Sequence, residues 1–191
     1  MRPVDRGVSA QAGFSLIEIL VTILILAIGL LGLAGLQTKM LTTEFEAFQR
    51  SQALVLAQDM VNRINANRIA ARNLAYSTGS PVYGNGNTLG DSGCTQTDMA
   101  ARDLCLWSQS LKGAGIVDGG NAVGAMIGAR GCIETVSGSA TSEVVLRVTV
   151  AWQGMSPSIA PSLACGQGAY GADDRMRRAV SMLVTLAYLG T

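Results

Sequence analysis

The chain contains no histidine, which removes the commonest metal ligand and general base and leaves no Ser/His or Cys/His pair to activate a nucleophile. Charge is scarce too: Asp, Glu, Lys and Arg make up 14% of the 191 residues, and the formal net charge is +1. General nucleic-acid binding rests on clustered cations that neutralise phosphates, so it is not expected here. Only Arg175, Arg177 and Arg178 suggest a local basic patch. There are 4 prolines against 23 glycines, a balance that favours loops over a long regular bundle. No CxxC pair offers the usual zinc spacing, and the adjacent acids Asp173 and Asp174 fall far short of a calcium cage and read as a solvated loop. These absences argue against an enzyme, a cofactor or a metal centre.

What the chain does have is GFSLIEILVTILILAIGLLGLAGLQ, from Gly13 to Gln37, with Glu18 as its one formal charge. Between Ile19 and Thr38 lie 20 uncharged residues. At a rise of about 1.5 Å per residue they make a helix of about 30 Å, the thickness of a bilayer core. A carboxylate in such a run costs roughly 2.5 to 3.5 kcal/mol on insertion scales, so Glu18 needs a partner. No Lys, Arg or His lies between Arg6 and Lys39 to supply one. A cut before Phe14 would create an α-amino group four residues from Glu18. A parallel copy of the segment could then present either charge to the other, offsetting desolvation and setting the axial register between helices.

Gly13-Phe14-Ser15-Leu16-Ile17-Glu18, after a short basic leader and before an unbroken apolar run, resembles the prepilin processing site of type IV pilins and pseudopilins. The resemblance implies cleavage between Gly13 and Phe14 by a membrane prepilin peptidase, N-methylation of Phe14, and Glu18 as the carboxylate used in subunit assembly. GLLGLAGLQ, MVNRINANRIAARN, AARDLCLWSQSL and the late VTVAW further resemble PilV-type minor pilins. Two plainer readings of the N-terminus stand beside it: a secretory signal cut near Gly32-Leu33-Ala34, and a simple anchor in which Glu18 is incidental.

In order along the chain, residues 1–13 read as a cytoplasmic leader that is cleaved, its Arg2 and Arg6 on the positive-inside side. Residues 14–38 form the transmembrane and assembly helix. Gly29, Gly32 and Gly35 weaken it by up to about 1 kcal/mol each relative to Ala. They read either as close helix packing through small residues or as a segment able to unwind on passing from lipid into a packed filament. Residues 39–75 continue as amphipathic helix without Pro or Gly, and Leu41, Phe45, Phe48, Leu56, Met60 and Ile64 form its apolar stripe. A helix from Phe14 to about Asn73 is too long to lie within a small domain, so its first half is expected to protrude from a globular head built by residues 76–191.

Within the head, Ser77 to Gly93 and Gly113 to Gly124 read as loops. Thr97 to Lys112 reads as a short helix capped by Thr97 or Thr95, with Ala100, Leu104, Trp107 and Leu111 on one face; Trp107 reads as core rather than a ligand platform. Met126–Val136, Glu143–Trp152 and Ala179–Leu189 read as strands, the first two joined through Gly138 to Thr141 as an antiparallel hairpin. The expected fold class is α+β, a long N-terminal helix packed on a small antiparallel sheet. Cys94, Cys105, Cys132 and Cys165 all follow the apolar segment, and an even number outside the cytoplasm reads as two disulfides. Three connectivities are open. Sequential pairing, Cys94 with Cys105 and Cys132 with Cys165, is favoured because it staples adjacent elements, the second across the long loop from Gly154 to Arg175.

The function expected from the resemblance is that of a minor pilin in initiation and assembly of a type IV pilus, serving attachment and twitching motility. Its expected partners are the prepilin peptidase, other minor and major pilins and the inner-membrane assembly machinery. Its expected place is the inner membrane, single-pass with the head in the periplasm, and then the pilus. A type II secretion pseudopilin is the first alternative. The second is a tip adhesin or DNA-binding subunit using the loop around Tyr83 to Asn87.

Overall fold

A computed structural model describes residues 13–77, 82–114, 117–119, 121–122, 126–139 and 141–188, so the leader apart from Gly13 lies outside the described residues. The chain divides into two compact units, Met1–Thr43 and Glu44–Thr191. Helix α1, Leu16–Ala66, starts in the first and ends in the second. In the first unit it carries the apolar run, and all of its described side chains are exposed. An 18-residue window there reaches a mean hydropathy of 2.8 with none of it buried, long and apolar enough to cross a membrane.

The second unit adds α2 (Arg68–Arg72), β1 (Tyr83–Gly84), α3 (Met99–Leu111), β2 (Val117–Asp118), β3 (Asn121–Ala122), β4 (Arg130–Ser137), β5 (Val144–Gln153) and β6 (Arg177–Leu186). One sheet has the order β1-β4-β5-β6, antiparallel throughout. Strand β5 lies between β4 and β6, and its β-branched alternation sends Val144, Leu146, Val148, Val150 and Trp152 into the core, while Thr149 and Ala151 are buried on the other face. The fold is therefore α+β, a long N-terminal apolar helix with a small antiparallel four-stranded sheet. Strands β2 and β3 form a separate ladder inside the stretch 113–124 that the sequence marks as loop. Two-residue strands carry no readable alternation.

The rest of α1 differs from the expected stripe. Gln49, Ala53, Ala57, Met60, Val61 and Ile64 are buried, whereas Leu41, Phe45 and Phe48 are exposed and Leu56 is half-buried. Small side chains let a helix approach closely, so Ala53 and Ala57 face the core and the aromatics turn outward. Nor does the helix run unbroken to Asn73. Asn67, at φ −114 and ψ 56, separates α1 from α2. Its amide donates to the Tyr76 hydroxyl at 3.2 Å, and that hydroxyl donates to Asp103 at 2.6 Å. Arg63 reaches Asp103 at 3.3 Å and Asp59 at 2.9 Å, so the break is tied to α3. The chain leaves α2 through Leu74 at φ 60, with Ala75 N–H on Ala70 O and Leu74 N–H on Ala71 O, a Schellman closure using a residue other than glycine.

Helix α3 is capped by Asp98, which accepts from Ala101 N–H at 2.8 Å, in place of the expected Thr95 or Thr97. A carboxylate satisfies an orphan donor there and also meets the positive helix end. Trp107 is fully buried, donates through Nε1 to Leu56 O at 2.8 Å and lies 5.7 Å from the Tyr83 ring. It rests directly on the sheet because Gly131 has no side chain; a Cβ there would lie 2.3 Å from the indole and 2.7 Å from Leu111.

Gly131→Ala is expected to destabilise the second unit by about 1–3 kcal/mol through overpacking, read as a lower guanidinium midpoint of the detergent-solubilised chain. A second expectation concerns alkali. Burial pushes the Tyr83 phenol from 10.0 up to about 12. Below pH 10 it is neutral in folded and unfolded chains alike, and between pH 10 and 12 only the unfolded chain ionises, so stability falls across that window. Tyr83→Phe should flatten the fall in midpoint. Tyr76, which burial and its bond to Asp103 also raise, and Tyr170, raised by burial, contribute to what remains.

Candidate functional site

Glu18 lies in the first turn of α1, where acidic side chains suit the positive helix end. Ser15 starts the helix: its carbonyl accepts from Glu18 N–H at 3.0 Å and Ile19 N–H at 3.4 Å. The threonine hydroxyls here are satisfied locally. Thr22 Oγ1 donates to Ile19 O at 2.8 Å, and Thr38 Oγ1 to Ala34 O at 3.2 Å. Among the described residues no ion pair reaches Glu18. Gly13 and Phe14 precede the helix and are exposed, Phe14 at 82%. Gly29, Gly32 and Gly35 lie within α1, and a Cβ at any of them would meet nothing within 4 Å. No contact among the described residues requires them to be glycine.

The cysteines sit in the second unit, in two disulfides, Cys94–Cys105 and Cys132–Cys165. The first ties the segment before α3 to that helix. The second ties the loop after β5 to β4, in a small cluster with Ala151 and Tyr170 on the sheet face opposite the main core. Tyr170 donates to Gly128 O at 2.8 Å and lies beneath the Arg130 guanidinium.

The three basic residues suggested as a patch do not form one. Arg177 is 2% exposed and donates to the carbonyl oxygens of Pro161, Leu163 and Cys165. Arg178 pairs with Glu46 at 3.3 Å and donates to Ser156 O at 2.7 Å. Glu46 also accepts from Met155 N–H at 3.1 Å, which joins α1 to the start of that loop. Asp173 accepts from Arg175 N–H, and Asp174, buried at φ 54, accepts from Gly168 N–H. The loop around Tyr83 to Asn87 is not free either: Tyr83 and Gly84 are buried as β1, and Asn87 folds back on Val82 O at 2.6 Å. Sequence reading missed the roles of Arg177 and Glu46. A mid-loop or strand-end arginine in a polar stretch carries no burial signal, and a glutamate on a helix looks solvated.

Among the described residues no group of three or more His, Cys, Asp or Glu comes together to hold a metal. What the described residues offer is a carboxylate in the first turn of an apolar helix, with no ion-pair partner among them, and a disulfide-stapled head. Residues 8–34 match the family model described as the prokaryotic N-terminal methylation motif, and residues 35–105 match that described as type IV pilin Tt1218. No curated protein and no solved structure matches the chain. Type IV pilins are structural subunits, and the methylation motif implies processing by prepilin peptidase, membrane anchoring through the apolar helix and assembly with pilins. The two adjoining matches, with the α+β fold of a long apolar helix and a four-stranded antiparallel sheet, support a type IV pilin with a pilus-related function.

Proposed function

We propose that this chain is a minor pilin, cut between Gly13 and Phe14, methylated on Phe14 and packed with other pilin-type subunits as a type IV pilus is initiated. Its consequences are surface attachment and twitching motility. The observation that carries this reading is Glu18, a carboxylate in the first turn of an apolar helix with no ion-pair partner among the described residues. A charge placed so has to be matched from outside the helix, by the new α-amino group at Phe14 or by that of a neighbouring subunit. Residues 1–13 then act as the leader, 14–38 as the anchoring and assembly helix, 39–66 as its continuation, and the residues after the break at Asn67 as the rest of the head. The single pass through the inner membrane leaves the head in the periplasm, where the disulfides form.

Gly29, Gly32 and Gly35 have a place in this scheme. The lack of any packing contact to them among the described residues supports a helix that can loosen on leaving lipid for the filament. Replacing all three with alanine should strengthen the helix by up to about 1 kcal/mol per site. Membrane levels should then stay unchanged while incorporation into sheared filaments drops.

Mass analysis of the chain from cells with a functional prepilin peptidase should show a start at methylated Phe14, and cells lacking the peptidase should hold the uncut chain. Glu18→Ala should leave insertion and cleavage largely intact while reducing recovery in sheared filaments at least several-fold. Equal recovery of the mutant and native chains would sink the assembly role of this carboxylate. Loss of twitching on deletion, with protein secretion intact, separates a pilus subunit from a secretion pseudopilin.

A further inference from the structure

The segment from Gly154 to Met176 joins β5 to β6 without a helix or strand. Loops of that length are uncommon unless something inside them supplies order. Here, beside the Cys132–Cys165 disulfide and the Glu46 and Arg178 contacts at its start, one buried cation on the following strand gathers the loop's carbonyls. Arg177 opens β6 opposite Gln153, so the sheet places it independently of the loop. Its Nη1 donates to Leu163 O and, at 3.0 Å, to Cys165 O; its Nη2 donates to Pro161 O at 3.0 Å. Nε lies 3.3 Å from Asp174 Oδ2 as an ion pair without hydrogen-bond alignment. Asp174 in turn holds Gly168 N–H with both oxygens, at 3.0 and 2.9 Å.

A guanidinium removed from water is strongly disfavoured unless its donors are met, so moving the loop away strands this charge. One of the carbonyls it gathers belongs to Cys165 itself. The partner sulfur sits on β4, where Cys132 pairs across to Thr149 of β5. Sheet pairing therefore sets one cysteine and the Arg177 contacts set the other. We propose that Arg177 is the positioning residue for this disulfide: it brings Cys165 onto Cys132 before the sulfurs join, and so selects this pairing over the two other connectivities.

The bond itself needs a disulfide oxidant. With oxidised glutathione, the thiolate of one cysteine attacks and releases one glutathione thiol. The thiolate of the other then attacks the mixed disulfide at the protein sulfur and releases the second. Two electrons and two protons pass from the protein thiols to the oxidant.

The test uses the full chain in detergent, reduced, unfolded, then refolded in glutathione buffers, with acid quench, alkylation and mass mapping of the cysteine peptides. In the native chain both disulfides close. Arg177→Met should lower the effective concentration of the Cys132–Cys165 pair about ten-fold or more and yield mispaired forms, while Cys94–Cys105 closes as before. Arg177→Lys should behave like the methionine variant, because an ammonium keeps the charge but lacks the planar fork that reaches separate carbonyls. Arg147→Met, which removes a partly exposed pair with Glu134, should change neither disulfide. Closure of Cys132–Cys165 at the native effective concentration in Arg177→Met would overturn the proposal. So would an equal loss of both disulfides, which would mean that the variant merely unfolds the head.

Discussion

Desolvation of charge governs both units of this chain. In the first, an apolar helix admits one carboxylate, Glu18, and satisfies its threonine hydroxyls on its own carbonyls. In the second, the buried guanidinium of Arg177 is met by three carbonyls and a carboxylate. The rule is the same and the solution differs. The head carries the partners for Arg177 in its own loop, whereas the described residues of the apolar segment carry none for Glu18. That asymmetry is why the proposed assembly role falls on the first unit, while the buried charge of the second is met within it.

The head is organised by contacts between groups far apart in sequence. Trp107 reaches the Leu56 carbonyl on α1 and rests on Gly131 of β4, so one indole joins the long helix, the short helix and the sheet. Around it, Tyr76, Asn67, Asp103 and Arg63 tie the break after α1 to α3. On the opposite face of the sheet, Cys165 and Tyr170 lie over Ala151, holding down the loop that Arg177 threads. Each of these is a polar group made tolerable inside by a partner, and each fixes an orientation that apolar contact alone would leave loose.

Much of the site was legible because its signals are local. A charge-free run long enough to cross a bilayer, a single Glu near its start and a Gly-Phe step before it are read without any knowledge of packing. The alternation of Val144 to Trp152 and the spacing of Ala100, Leu104, Trp107 and Leu111 likewise report one face at a time. The stripe of α1 was read rightly at Met60 and Ile64 and wrongly before them, because size stood in for burial: Phe45 and Phe48 look like core, yet Ala53 and Ala57 occupy it. Tyr83 was misread in the opposite sense. Glycine and asparagine around it mark a loop, while the tyrosine itself enters the core beside Trp107.

By itself the sequence determined the class of the molecule: an anchoring helix with one costly carboxylate, an α+β head after it, and cysteines in number and place for disulfides. These follow from periodicity, length and transfer energy, which act along the chain. Only the tertiary structure decided which helix face is buried, that the helix breaks at Asn67, that Asp98 is the cap, and that Arg177 and Arg178 are engaged by the fold, leaving Arg175 exposed instead of a patch of three. Those outcomes depend on what lies opposite each residue in space. A side chain's partner across α3, β4 or the loop before β6 leaves no mark on its neighbours in sequence.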